Sequence, residues 1–172
     1  MALIKEVRGH APILSPSCYL ADNATVIGDV VLGEQCSVWF QTILRGDVNS
    51  IRMGNRVNVQ DGAIIHCTYE KAATIIGDGV SIGHAAIVHG CEIQDNVLIG
   101  MRATIMDHAI VEPNSLVAAG AVVLENTVVE SGSIYAGVPA KKVKSLNEQQ
   151  FNDLVQRISN NYVMYSSWYK KP

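Results

Sequence analysis

The sequence predicts a mainly β protein, a parallel β-helix followed by one C-terminal α-helix. Aliphatic side chains recur every six residues over most of the chain, and a small or β-branched side chain follows most of them by four residues. The period then ends shortly before a segment with helical spacing. Because one six-residue unit cannot bury its own apolar face, such units become stable only when they stack. An ordinary β-sandwich alternates with period two and does not explain this register.

The six-residue register defines the expected core. It slips within RGDVNSIR (45–52), within HCTYEKAAT (66–74) and by one residue before Ile93. Turn-forming pairs such as Gly28-Asp29 and Asp61-Gly62 stand between the apolar positions and suit the corners of a coil. The residues expected to point into the core are Leu20, Val26, Leu32, Val38, Leu44, Met53, Val59, Ile65, Ile76, Ile82, Val88, Ile93, Ile99, Ile105, Val111, Val117, Val123 and Val129.

The segment after the repeat predicts one helix. Ser145 or Asn147 is the expected N-cap, and an apolar stripe follows at helical spacing, formed by Phe151, Leu154, Val155 and Ile158. We therefore expect a single domain, with the N-terminal segment and β-helix over residues 1–144 and a helix packed on it over residues 145–172.

Composition narrows the class of protein. The chain has 172 residues, 48% of them hydrophobic, and a formal net charge of −3 with scattered basic residues, so we expect no nucleic-acid partner. Its apolar runs are short, which predicts no membrane partner. The start lacks the pattern of a signal peptide, and the four cysteines form no CxxC pair, so we expect a cytoplasmic protein with reduced thiols.

The histidines follow the geometry of the coil. His66 and His89 each come directly after a core position, and their spacing of 23 residues is one 18-residue coil plus a loop. The two should therefore stack on adjacent coils, about 4.8 Å apart in the backbone. His84 belongs to the preceding face and should point away from them. Since catalytic metal sites usually need three protein ligands, we expect His84 of a neighbouring chain to complete the site in a threefold assembly.

Three segments around these histidines resemble the γ-class carbonic anhydrase family. They are the RGD element at 45–47, an N-x-Q-D-G-x-x-x-H element at 58–66 and a G-H-x-x-x-x-H-G-C element at 83–91. The resemblance covers residues 11–140 and implies a left-handed β-helix with three hexapeptides per coil. It also implies a homotrimer with metal sites between subunits, and a divalent transition metal, zinc first and then iron or cobalt. The metal ligands would be His66, His84 and His89.

The resemblance also assigns supporting roles around the metal. Gln60 would orient the metal-bound oxygen species, and Arg45 and Asp47 would support the site through an ion pair. Further candidates are the flanking polar residues Asn58 and Asp61 and, from the C-terminal segment, Tyr162.

The chain departs from the best-characterised family members in its proton carriers. Val48 follows Asp47 where those members carry a glutamate, and the short CTYEKAAT loop carries only Glu70 where they have a longer acidic loop. We therefore predict a lyase that hydrates carbon dioxide reversibly, a small-molecule substrate, by a metal-bound hydroxide, at a slow or conditional rate.

Two other functions stay open at this stage. One is a hexapeptide-repeat acyl-coenzyme A transferase or thioesterase, because the repeat fold also hosts transferases. The other is a non-catalytic metal-binding scaffold or complex subunit, since fold alone does not determine function.

Overall fold

The computed structural model describes residues 1–169, which form a parallel β-helix and a C-terminal helix. The strands are β1 (Leu3–Lys5), β2 (Ile13–Leu14), β3 (Tyr19–Leu20), β4 (Thr25–Leu32), β5 (Ser37–Val38), β6 (Ile43–Met53), β7 (Asn58–Val59), β8 (Ile64–His66), β9 (Thr74–Ile76), β10 (Ser81–Ile82), β11 (Ile87–His89), β12 (Glu92–Ile93), β13 (Leu98–Ile99), β14 (Thr104–Ile105), β15 (Ile110–Val111), β16 (Leu116–Val117), β17 (Val122–Val123), β18 (Val128–Val129), β19 (Ser133–Ala136) and β20 (Lys141–Ser145).

The coils have three flat faces, as the predicted left-handed β-helix requires. Face A contains β8, β11, β14 and β17 with the first halves of β4 and β6. Face B contains β9, β12, β15 and β18 with the second halves of β4 and β6, which turn the corner without a break. Face C contains β3, β5, β7, β10, β13, β16 and β19. Along the chain each coil passes from face C to face A to face B.

The core lies inside the coils and confirms the six-residue register. Every predicted inward residue is buried except Leu20, which is half-buried in the first coil. Parallel pairing stacks them in ladders, for example Leu44 on Ile65 and Val88 on Ile105. Because aliphatic side chains of similar size repeat along each ladder, neighbouring coils pack closely on one another.

The corners use more residue types than the sequence indicated. Several non-glycine residues, among them Arg56, Ala85, Arg102 and His108, have positive φ angles between 56° and 57°. The left-handed conformation costs about 1–2 kcal/mol for a residue with a side chain. A backbone hydrogen bond to the preceding coil offsets this cost at each corner, as from the Ala85 N–H to the Asp61 carbonyl at 2.9 Å.

The C-terminal helix is confirmed, with corrections to its start and to one side of it. It consists of α1 (Glu148–Gln150), a π-helical segment (Phe151–Gln156) and α2 (Arg157–Tyr169). Asn147 caps it in a reciprocal pair with Gln150, whereas Ser145 lies in β20, which pairs antiparallel with β19. Leu154 is 37% exposed, contrary to the predicted stripe, because the wider π turn rotates it away from buried Val155.

Aromatic contacts hold the helix against face C. The Trp39 ring lies 5.3 Å from Tyr162 and 5.4 Å from Tyr169 between ring centroids. The edge-on arrangement of these rings is the favourable one for aromatic pairs. Among the described residues, no helix is long and apolar enough to cross a membrane.

Candidate metal centre

His66 and His89 stack at the corner between faces A and B, as the coil spacing predicted. The two residues are direct partners in the parallel pairing of β8 with β11. The Nδ1 atom of His66 lies 3.1 Å from the Nε2 atom of His89, and the ring centroids are 5.1 Å apart. Both rings are partly buried, so water reaches them from one side.

A carboxylate binds the outer nitrogen of each ring. Asp47 Oδ1 lies 3.1 Å from His66 Nε2, and Asp107 Oδ1 lies 2.6 Å from His89 Nδ1. Because a carboxylate only accepts hydrogen bonds, these outer nitrogens carry the hydrogen in the neutral rings. The inner nitrogens, His66 Nδ1 and His89 Nε2, then direct their lone pairs at one another.

This arrangement of donors fits a transition-metal ion. Two imidazole nitrogens bound to a tetrahedral zinc at about 2.0–2.1 Å are separated by about 3.3 Å, close to the 3.1 Å found here. Burial lowers the pKa of His66, which favours the neutral ring that a metal needs. Over residues 1–169, no group of three or more His, Cys, Asp or Glu side chains within one chain is placed to hold a metal ion.

His84 lies at the other edge of face A, at the corner with face C. Its Nδ1 atom lies 3.0 Å from Asp61 Oδ2. Because the carboxylate accepts a hydrogen bond, Nδ1 carries the hydrogen in the neutral ring and Nε2 carries the lone pair. The Tyr162 hydroxyl approaches that nitrogen at 3.5 Å. Burial raises the pKa of Tyr162 to about 12, which keeps its hydroxyl protonated. The structure therefore brings the predicted residues Asp61 and Tyr162 to His84, and not to the His66–His89 pair.

Gln60 and Asn58 form a buried amide pair near His84. The Gln60 Nε2 group donates to Asn58 Oδ1 at 3.0 Å, and Asn58 Nδ2 donates to Ser81 Oγ at 2.7 Å. Gln60 and His84 line one groove of about 440 Å³, whose other walls are mostly apolar and come from face C and the helix. The amide pair is thus fixed in orientation before any ligand arrives.

Arg45 and Asp47 support His66 through a short relay. The Arg45 guanidinium donates to Asp47 Oδ2 at 2.7 Å, while Asp47 Oδ1 faces His66. Burial alone would raise the pKa of Asp47, but the hydrogen bonds from Arg45 and His66 outweigh it and lower that pKa. Asp47 therefore stays ionised and holds the His66 ring in place.

Sequence reasoning missed Asp107, although a signal for it was available. Asp107 stands 18 residues, one coil, after His89, so the same spacing that paired the histidines would have placed it beside His89.

Cys67 and Cys91 are buried, and burial raises the pKa of both thiols. Both are therefore poor thiolate ligands in this state. His10 and His108 are exposed.

Comparison with known proteins first defines a class, the hexapeptide-repeat proteins. A family model described as bacterial transferase hexapeptide (six repeats) matches residues 90–125. A solved structure, a hexapeptide transferase family protein from Anaplasma phagocytophilum, superposes with a TM-score of 0.93 at 36% identity and covers 98% of both chains.

Sequence relatives define the family within that class. The chain is 45% identical to a carbonic anhydrase from Geobacillus kaustophilus over 98% of its own length and 91% of the relative's. It is 40% identical to a mitochondrial gamma carbonic anhydrase from Arabidopsis thaliana over 91% of its length, and spans 59% of that longer protein. The chain therefore belongs to the γ-class carbonic anhydrase-like family of hexapeptide-repeat proteins.

Proposed function

We propose that the protein is a γ-carbonic anhydrase-like metalloenzyme that hydrates carbon dioxide reversibly at sites between the subunits of a homotrimer. The main supporting observation is that the inner nitrogens of His66 and His89 lie 3.1 Å apart. The other nitrogen of each ring faces a carboxylate. The carbonic anhydrase relatives imply a divalent metal, and we propose zinc first, with iron or cobalt as alternatives.

The residues divide into holding and orienting roles. His66 and His89 of one subunit and His84 of its neighbour would hold the metal, with Asp47, Asp107 and Asp61 fixing the three rings. A metal held there would supply a water whose pKa is lowered to about 7, the value known for carbonic anhydrases themselves.

The orienting role falls to the amide pair near His84. The Gln60 amide, held by Asn58, would hydrogen-bond the reacting oxygen atoms at this end of the groove. Because both side chains are buried, the pair loses little further conformational freedom when substrate binds.

Proton release is the step for which the chain offers least. Val48 replaces the family's glutamate, and Glu70 is an exposed residue in the loop after His66. We therefore propose slow hydration in weak buffer and faster hydration as buffer concentration rises, because buffer molecules then remove the proton.

Metal-assisted hydrolysis of a thioester is a second candidate, favoured by one observation. The groove beside His84 has a volume of about 440 Å³ and largely apolar walls, including Leu98, Leu116 and Ile158. Carbon dioxide needs much less space, whereas an acyl chain would use it. Turnover of acyl-coenzyme A by the metal-loaded trimer, with no hydration of carbon dioxide, would favour this candidate over the first.

Subunit mixing tests the proposed site. His84→Ala and His89→Ala should each lose metal and hydration activity as pure trimers. Refolded together, they should regain one intact site in each mixed trimer. An intact site needs His66 and His89 from a His84→Ala chain and His84 from the next chain around the ring, which must be a His89→Ala chain. This order of neighbours occurs once in any mixed trimer.

A matched control and a contradicting result complete this test. His10→Ala removes an exposed histidine that is not one of the proposed ligands, and should keep full metal content and activity. Metal content is measured by elemental analysis of tag-free protein purified without oxygen. The proposal is wrong if the mixture regains nothing while wild-type trimers hold one metal per site, or if wild type takes up no metal at all.

A further inference from the structure

Asp107 is held at both of its carboxylate oxygens, and one of them faces the ring of His89. Its Oδ1 atom lies 2.6 Å from His89 Nδ1, and its Oδ2 atom accepts a hydrogen bond from the Thr68 hydroxyl. Because both of its oxygens have partners, the carboxylate is fixed in direction.

The backbone beside Asp107 leaves room for this contact. Gly90, which follows His89, has a φ of 53°, and a Cβ atom placed on it would lie 2.5 Å from Asp107 Oδ1. Any larger residue at this position would push the carboxylate away from the His89 ring. Gly90 thus leaves the space that Asp107 Oδ1 occupies, as Gly77 on the preceding coil does for Asp95 Oδ1.

The repeat itself provides the comparison. Asp95 occupies the same place in its hexapeptide as Asp107, two residues after an inward aliphatic side chain. Its Oδ1 atom accepts a hydrogen bond from the Asp78 backbone N–H at 2.8 Å. Asp95 therefore stabilises a corner, whereas the carboxylate of Asp107 faces an imidazole.

We infer that Asp107 is a positioning residue that fixes the tautomer of His89 and so sets the affinity of the metal centre. With the hydrogen on Nδ1, the lone pair of His89 Nε2 points towards His66 before any metal arrives. Thr68 acts through Asp107 by holding its second oxygen. The part of this inference that concerns metal affinity rests on the proposed function. The tautomer of His89 is a property of the metal-free protein.

Two measurements on the full-length trimer test the inference. Nitrogen NMR of the histidine rings in metal-free protein, at mildly alkaline pH, should show His89 with its hydrogen on Nδ1 in wild type. In Asp107→Ala it should show a mixture of both tautomers. Competition with a chelator should give zinc binding about 10–100-fold weaker in Asp107→Ala than in wild type.

Companion variants separate positioning from general damage to the fold. Thr68→Val should weaken zinc binding by less than Asp107→Ala, and Thr68→Ser should restore it because the hydroxyl returns. Asp95→Ala, the matched control, should leave both zinc affinity and the His89 spectrum unchanged.

The possible failures are distinguishable. A wild-type His89 with its hydrogen on Nε2, or zinc affinity equal in Asp107→Ala and wild type, overturns the inference. Wild-type protein that binds no zinc, while the His89 spectrum still changes in Asp107→Ala, instead overturns the proposed function and leaves the positioning role supported.

Discussion

The C-terminal helix brings the Tyr162 hydroxyl close to His84, a proposed metal ligand. It lies 3.5 Å from His84 Nε2, beyond the usual range of a strong hydrogen bond, while its ring packs edge-on against Trp39. Tyr162→Phe keeps the packing and removes only the hydroxyl. Because a neutral hydrogen bond contributes about 0.5–1.5 kcal/mol even at good geometry, we expect kcat/KM for hydration to fall less than about 5-fold.

The raised pKa of Tyr162 gives this variant a second signature. The folded state keeps the phenolic proton up to a pH of about 12, whereas an unfolded tyrosine releases it near its ordinary value of 10. The unfolded state therefore binds fewer protons in this window, and stability falls as pH rises through it. Urea denaturation of Tyr162→Phe should show a smaller loss of stability over this range, and an equal loss in both proteins would show that Tyr162 is not desolvated.

For single residues, the six-residue repeat predicted where His66 and His89 lie. It did not lead to Asp107, because aspartate is common at the corners of the coil. His66 and His89 were paired correctly because their spacing is a coil plus a loop. Asp107 was missed because aspartate is an ordinary corner residue, and what separates it from Asp95 in the sequence is only the histidine one coil earlier. Asn58 was recognised by motif, but its bond to Ser81 needed the fold.

Among the structural elements, β4 and β6 meet most closely at two stacked glycines. Gly28 has a φ of 75°, and a Cβ atom placed on it would lie 2.4 Å from the Gly46 carbonyl oxygen. This close approach precedes Asp47, so it also positions the carboxylate that faces His66. Backbone atoms on both sides cannot move independently of the coil stack.

Gly28→Ala should therefore destabilise the protein strongly. The positive φ costs about 1–2 kcal/mol, and overpacking against backbone adds about 1–3 kcal/mol. Gly120→Ala is the matched control, since Gly120 has a φ of 68° and open space around the added Cβ, and it should show the first cost alone. Urea denaturation at one fixed protein concentration measures the stability of both variants. Equal losses of stability in Gly28→Ala and Gly120→Ala would show that the added methyl group on Gly28 causes no overpacking against the neighbouring coil.

Element boundaries were predicted well where the period is strict and less well where it ends. The inward ladders follow from residue type alone, but the β19–β20 hairpin does not, because KKVKS carries no apolar alternation. The π-helical segment also escaped prediction, since Phe151, Leu154, Val155 and Ile158 fit a regular α-helix equally well. In both places the tertiary fold decides between local structures that the sequence leaves nearly equal in energy.

For the molecule as a whole, face A lies between the two halves of the proposed site. The His66–His89 pair stands at one of its edges and His84 at the other. If His84 of one subunit completes the pair of the next around a threefold axis, face A of every subunit has to turn towards that axis. Its outward side chains include Ile64 and Ile87, which are 38% and 40% exposed in the single chain.

Ile87→Glu should therefore dissociate the proposed trimer. Burial of three unpaired carboxylates near one axis costs several kcal/mol, and the separated subunits would lose metal because the third ligand is gone. Ile75→Glu is the matched control: Ile75 lies on face B, is 50% exposed, and should keep both assembly and metal. Sedimentation velocity with elemental analysis measures both properties. The opposite pattern, dissociation by Ile75→Glu and intact trimers with Ile87→Glu, would place the interface on face B, where His84 cannot meet the His66–His89 pair of a neighbour.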